Sequence, residues 1–132
     1  MDLIKITSDK ERVKSIVKMV SFIEERLKLQ DVKKMSSLMV VDYYEIFKEL
    51  STAILLLDGY KTLSHKDLIE YIGKNVSELN SEELYVLDEL RVLRNRVSYE
   101  GFETGLDYLK RNEIIFKKMI FKLKGAINKR EK

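Results

Sequence analysis

The stretch Asp88-Glu89-Leu90-Arg91-Val92-Leu93-Arg94-Asn95-Arg96-Val97-Ser98-Tyr99-Glu100-Gly101 decides how the rest of the chain is read. Leu87, Leu90, Leu93 and Val97 recur at spacings of three and four, the period of a helix with one buried stripe. Arg91, Arg94, Asn95, Arg96, Ser98 and Tyr99 lie off that stripe and are left to explain. Arg91, Asn95 and Ser98 share a neighbouring stripe with Arg94 beside it. Fixed positive charge and amide hydrogen bonding therefore gather on one side, a combination suited to phosphate. On a regular helix Tyr99 lies roughly 140° from Arg94, so their convergence is expected to need an unwound turn. Gly101 is placed to end the helix in the left-handed conformation. A purely structural reading is open too: Arg94 pairs with Asp88 or Glu89 or holds last-turn carbonyls, Asn95 braces a loop, and Tyr99 packs on the next loop, at Phe102.

Working outward toward the N-terminus, Asn80 or Ser81 is expected to cap this helix, with Glu82 and Glu83 at the positive end of its dipole. Residues 74–80 read as loop. Ser64, with Asp67 three positions on, predicts a short helix through Ile72 closed by Gly73. Val40, Tyr43, Tyr44, Phe47, Leu50, Ile54 and Leu57 predict a long helix from about Ser37 to Asp58, ended by Gly59. Residues 30–36 read as a turn. The first helix is expected to start at a capping box formed by Ser8 and Glu11 and to run to about residue 29, burying Val13, Ile16, Val17, Val20, Ile23 and Leu27. Beyond Gly101, Thr104 and Asp107 predict the opening of a fifth helix, with Leu106, Leu109, Phe116, Met119, Ile120, Leu123 and Ile127 on its apolar face. No strand pattern competes. The expected fold is all-α, one domain spanning 1–132: an up-and-down antiparallel bundle of four long helices, with the short one across an end.

Composition narrows the function classes. The chain has 132 residues, 45% of them hydrophobic, enough for one core. Proline, cysteine and tryptophan are absent, so long helices run uninterrupted, and disulfides, thiolate metal sites and cysteine nucleophiles are excluded. A reducing cytoplasm is the expected setting. One histidine, His65, falls short of a zinc ligand set, and no glycine-rich phosphate loop is present, so neither metal nor cofactor is expected. His65 reads either as an exposed residue at the start of the short helix or, if the fold brings it to Arg94, as a titratable member of that site. The longest apolar run, Ala53 to Leu57, is far below the roughly 18–20 residues that span a bilayer, and no basic-then-apolar stretch opens the chain. Net charge is +3, but residues 110–132 hold nine Lys or Arg against two Glu, a local +7 that leaves −4 elsewhere. Such a segment binds nucleic-acid backbone by counterion release, or is simply a solvated helical face.

At Arg94-Asn95-Arg96-Val97-Ser98-Tyr99 the chain resembles the HEPN superfamily, small helical domains of prokaryotic toxins, RNA-cleaving defence proteins and nucleotidyltransferase partners. Its signature is an arginine, a polar residue that is often asparagine, three variable residues and a histidine. Arg94 and Asn95 match, and Tyr99 stands in the place of the histidine. Leu57-Asp-Gly-Tyr-Lys-Thr-Leu-Ser-His-Lys66 is similar to the join between helices in several HEPN groups, and the likeness covers roughly residues 36–127.

The resemblance implies a dimer whose two motifs face each other across a cleft and cut RNA without metal. Arginine stabilises charge on the phosphate while histidine moves the proton of the attacking 2′-hydroxyl. A phenol of ordinary pKa, about 10 against about 6.5 for imidazole, is a poor replacement at pH 7 unless Arg91, Arg94 and Arg96 surround it. The function so implied is RNA or nucleotide binding, by a ribonuclease toxin or a catalytically degenerate relative. Arg94, Asn95 and Tyr99 take the catalytic positions, and Arg91, Arg96, Ser98 and His65 the binding positions. The alternative is a non-catalytic helical partner of a separately encoded nucleotidyltransferase-type antitoxin. In some such pairs a motif tyrosine is nucleotide-modified, but it lies two residues past the histidine, where this chain has Gly101. A homodimer is expected on the further ground that the broad stripe of the second helix, with its tyrosines, exceeds what one bundle covers.

Overall fold

The computed structural model describes residues 1–132. Five helices follow in order: α1 Lys10–Leu29, α2 Val32–Asp58, α3 His65–Asn75, α4 Ser81–Glu100 and α5 Leu106–Glu131. The class is all-helical, as expected. One small addition is a two-stranded antiparallel sheet, β1 Ile4–Lys5 against β2 Tyr60–Lys61, with Ile4 opposite Lys61 and Lys5 opposite Tyr60. Strands of two residues have no period to detect, which is why no strand was expected here. Gly59, at φ 88°, ends α2 and turns the chain into β2, and its carbonyl accepts from the Ile6 amide at 2.9 Å.

The buried stripe of α2 is the centre of the molecule. Val40, Tyr43, Tyr44, Phe47, Leu50 and Ile54 are all buried, and α2 packs on α1, α3, α4 and α5. The two-residue connection after α1 makes α1 and α2 antiparallel neighbours, tied where Asp42 accepts from Arg26 and Gln30. On the opposite side α5 runs parallel to α2, because Tyr43 bonds Glu113 while Asp58 bonds Arg130. Chain direction alternates as predicted, yet α5 packs chiefly on α2 and hardly on α4. A groove of about 500 Å³ between α4 and α5 results, lined by Tyr85, Val92, Arg96, Tyr108 and Arg111 among others.

Several expected boundaries move, each for a local reason. α1 is capped by Asp9, whose carboxylate accepts from the Arg12 amide at 3.0 Å, so Ser8 and Glu11 do not form the box. α2 begins at Val32, not Ser37, because Asp31 accepts from the amides of Lys33 and Lys34; the polar run 32–36 is helical, with a kink at Met35. α3 passes through Gly73 to Asn75. A Cβ on Gly73 would stand 3.3 Å from the Leu84 side chain, so this glycine serves the close approach of α3 and α4. Asn80 is the cap of α4, in a reciprocal box with Glu83. α5 opens after Gly105, while Thr104 is pinned to the kink of α2: its amide donates to Ser37 and its carbonyl accepts from Ser36, both at 2.8 Å. The stripe of α2 and its tyrosines Tyr43 and Tyr44 lie inside the bundle, so α2 leaves no apolar surface in excess to call for a dimer. No helix is long and apolar enough to cross a membrane.

Candidate anion-binding site

α4 is held from both ends. At its start Glu83, buried, accepts from the Asn80 amide and from Lys122 of α5 at 2.7 Å. Burial pushes the Glu83 carboxyl up, but the bonds from Lys122 and Asn80 outweigh it and hold the group below its ordinary value. At its end Gly101, at φ 68°, closes the helix in the left-handed conformation, and the Gly101 and Phe102 amides return to the Arg96 carbonyl. Leu87 and Leu90 are buried beneath, and Leu93 packs at the edge of the core.

This frame presents Arg94 in an unusual condition. Its guanidinium donates to Asn95 Oδ1 at 3.1 Å and to the Tyr99 hydroxyl at 3.3 Å, both neutral acceptors, and no carboxylate lies within ion-pair distance. Its Nε is buried without a hydrogen-bond partner in the protein. Arg12, Arg96 and Arg111 also lack an acid partner, but those three are exposed, whereas Arg94 is drawn in from solvent. A partly desolvated charge with only neutral partners is costly, and an anion is what it lacks. The guanidinium lies 5.5 Å from the centre of the Tyr44 ring and 5.6 Å from that of Tyr99.

The other expected site residues divide. Tyr99 meets Arg94 with no unwinding, since α4 is helical through Glu100; the length of the two side chains spans the angle between them. It is 76% exposed and does not pack on Phe102. Arg91 bonds Asp88 at 2.9 Å, and Arg96 lies 4.0 Å over the Phe102 ring, so the arginines do not surround the phenol. Ser98 is exposed. His65 comes to the site: its ring centre is 5.8 Å from that of Tyr44, on whose ring Arg94 also lies. Burial lowers the imidazole below its ordinary value, Lys48, Arg94 and Arg91 lower it further, and Glu45 opposes them. At the first position of α3, the helix dipole also disfavours a protonated ring.

The sequence reading missed what α2 contributes. Tyr44 is 1% exposed, with a hydroxyl that has no partner in the protein; burial pushes it up to about 12 despite opposition from Arg91 and Arg94. Lys48 stands one turn on, bonded to Glu45 and Glu49. The spacing of Tyr44 and Lys48 is legible, but not that they face α3 and α4. Among His, Asp and Glu side chains no cluster suits a metal ion. The chain matches no protein-family model and no curated protein.

Proposed function

We propose that this chain is an RNA-binding domain of HEPN type, which holds a backbone phosphate at Arg94 and Asn95. The observation that carries the reading is the guanidinium of Arg94, half-buried and without a carboxylate in a chain of 22 acids. Phosphate supplies the missing charge, and the amide of Asn95 supplies donors beside it. Tyr99 stands where the family carries its proton-moving histidine, so the domain binds well and cleaves weakly. Replacing a general acid or base typically costs about 10² to 10⁴ in rate.

The reading includes a second copy across α4. Tyr85, Val92 and Tyr99 recur every seven residues and are 69%, 47% and 76% exposed, an apolar stripe that reaches Arg94 only at its Tyr99 end. A two-fold axis at the Tyr99 end of this stripe brings the two Arg94 sites toward one phosphate backbone. Sedimentation is expected to show a dimer that Val92→Asp dissociates; a monomer at micromolar concentration removes this part of the reading. The same stripe also suits the alternative, a non-catalytic partner of a nucleotidyltransferase, which requires a monomer alone and a stable complex without RNA affinity.

The deciding experiment is Arg94→Ala in an RNA-binding assay with a mixed single-stranded pool. Binding is expected to fall at least tenfold while thermal stability changes by under about 1 kcal/mol, since Arg94 has no ion pair to lose. Unchanged RNA affinity in the variant sinks the proposal.

A further inference from the structure

Three polar groups around one ring lack partners in the protein: the Tyr44 hydroxyl, Arg94 Nε and the imidazole of His65. The first two are buried. They come from three different helices, α2, α4 and α3, and the Tyr44 ring is their common contact, 5.5 Å from the Arg94 guanidinium and 5.8 Å from the His65 ring. Buried polar groups in folded proteins are nearly always satisfied, so two unsatisfied ones against a single ring, with an unpaired imidazole on the same ring, single out this part of the molecule. The charges facing His65 are Lys48 and Glu45 of α2 and Arg91 and Arg94 of α4, an excess of cations. Lys48 and Arg91 already have carboxylates; Arg94 does not.

We propose that His65 and Tyr44 complete the Arg94 site: a phosphate group bound at Arg94 accepts from the Tyr44 hydroxyl and from His65, which takes up a proton as the phosphate binds. The inference rests on the phosphate-binding reading of Arg94 and adds to it a proton. In the free protein burial, helped by the cations, holds the imidazole below its ordinary value. A bound phosphate reverses the local field, and a protonated imidazole becomes a charge-assisted donor. Linkage fixes the sign: if binding raises the pKa of His65, affinity rises as pH falls through the bound-state value and levels off below the free-state value. The phosphodiesters of RNA do not titrate in this range, so the dependence belongs to the protein.

The chain has a single histidine, so its imidazole proton resonance can be followed by NMR without assignment. Its titration midpoint is measured in the free protein, with a short single-stranded RNA, and with inorganic phosphate. The free midpoint is expected below the ordinary value and the bound midpoint above the free one; each unit of difference corresponds to about tenfold tighter binding at low pH. Arg94→Ala raises the free midpoint and abolishes the response to RNA. His65→Gln keeps the fold and binds RNA with no pH dependence between pH 5.5 and 7.5. A response to phosphate without one to RNA upholds the site and makes its ligand a small phosphate compound. If RNA binds in an Arg94-dependent way while the midpoint stays fixed and His65→Gln binds as wild type does, this inference falls and the RNA-binding reading stands. If neither RNA nor phosphate binds at any pH, both fall.

Discussion

Removing one oxygen atom at Tyr44 is expected to stabilise the protein and weaken its binding. The side chain is 1% exposed and its hydroxyl has no partner in the protein, whereas its ring touches Arg94 and His65. Tyr44→Phe keeps the ring, its volume and both contacts, and deletes only the desolvated hydroxyl. A buried hydroxyl left unsatisfied costs about 1–3 kcal/mol, and deleting it returns the lower end of that range once small losses of packing are counted. For a chain of this length, about 1 kcal/mol corresponds to a rise in Tm of about 3–5 °C. Urea denaturation is expected to give a higher midpoint at unchanged slope, which separates native-state stabilisation from a change in the unfolded chain. RNA affinity is expected to drop several-fold in the same variant. Tyr108, whose hydroxyl is also buried without a partner, lines the groove between α4 and α5 instead. Tyr108→Phe should therefore stabilise the fold and leave RNA binding unchanged. A destabilised Tyr44→Phe would refute the reasoning, because the hydroxyl would then have been satisfied all along.

Three further outcomes are expected. Glu83→Ala removes the reciprocal cap of α4 and leaves Lys122 unpaired, and denaturation should show a loss of about 3 kcal/mol, typical of breaking a buried pair from one side. Because the Glu83 carboxyl is held low, its contribution is full above the ordinary carboxylate range and lost as pH falls through the folded value. His65 acts at higher pH with the same sign: its folded value is lowered, so below about pH 6.5 the unfolded chain takes up a proton that the folded one resists. Thermal stability should decline from there toward the folded value, and His65→Gln should flatten that step. Tyr99→His, on a side chain already within 3.3 Å of Arg94, should raise RNA cleavage in chelator by at least tenfold, with a pH dependence near neutrality; no cleavage of any RNA by the variant would remove ribonuclease ancestry from the reading.

Much of the fold was legible because long helices carry their own period. The stripe of α2, the Asn80 cap and the Gly101 stop are local features, and each appears where local chemistry puts it. The errors are local too, but at positions where two signals compete. Ser8 and Asp9 both suit a cap, and the Asp9 carboxylate is the one that reaches an amide. Lys33 and Lys34 look like a turn until the Asp31 cap is recognised, after which they form the solvent-facing start of a helix, with Ser36 buried behind them. Parallel packing of α5 on α2 was not legible, since it depends on which faces of two amphipathic helices match across more than sixty residues. The candidate site was half legible for the same reason. Arg94, Asn95 and Tyr99 are neighbours in sequence, while Tyr44 and Lys48 are indistinguishable from ordinary α2 residues until α3 and α4 lie against them.

That α5 pairs with α2 has a consequence for α4. In a square bundle α4 would bury one flank against each neighbour, and its outer residues would be drawn toward α5. Here its packing is on α2 and α3, and its link to α5 is the Lys122–Glu83 bond at the far end from the arginines. The half of α4 that carries Arg91, Arg94 and Tyr99 is therefore supported from below and open outward. Support from below half-buries Arg94 and sets it against the Tyr44 ring, which His65 also meets. Openness leaves Tyr85, Val92 and Tyr99 exposed on a different face of α4 from the one that carries Arg94. Both conditions are needed for an anion site that meets its own copy across a two-fold axis, since a fully packed α4 would hide the stripe and an unsupported one would leave Arg94 solvated. Closing the groove tests this coupling: a disulfide engineered between α4 and α5 near Arg96 and Arg111 should raise Tm while lowering RNA affinity and weakening dimer formation. Equal affinity in the cross-linked protein would show that the outward half of α4 plays no part in the site.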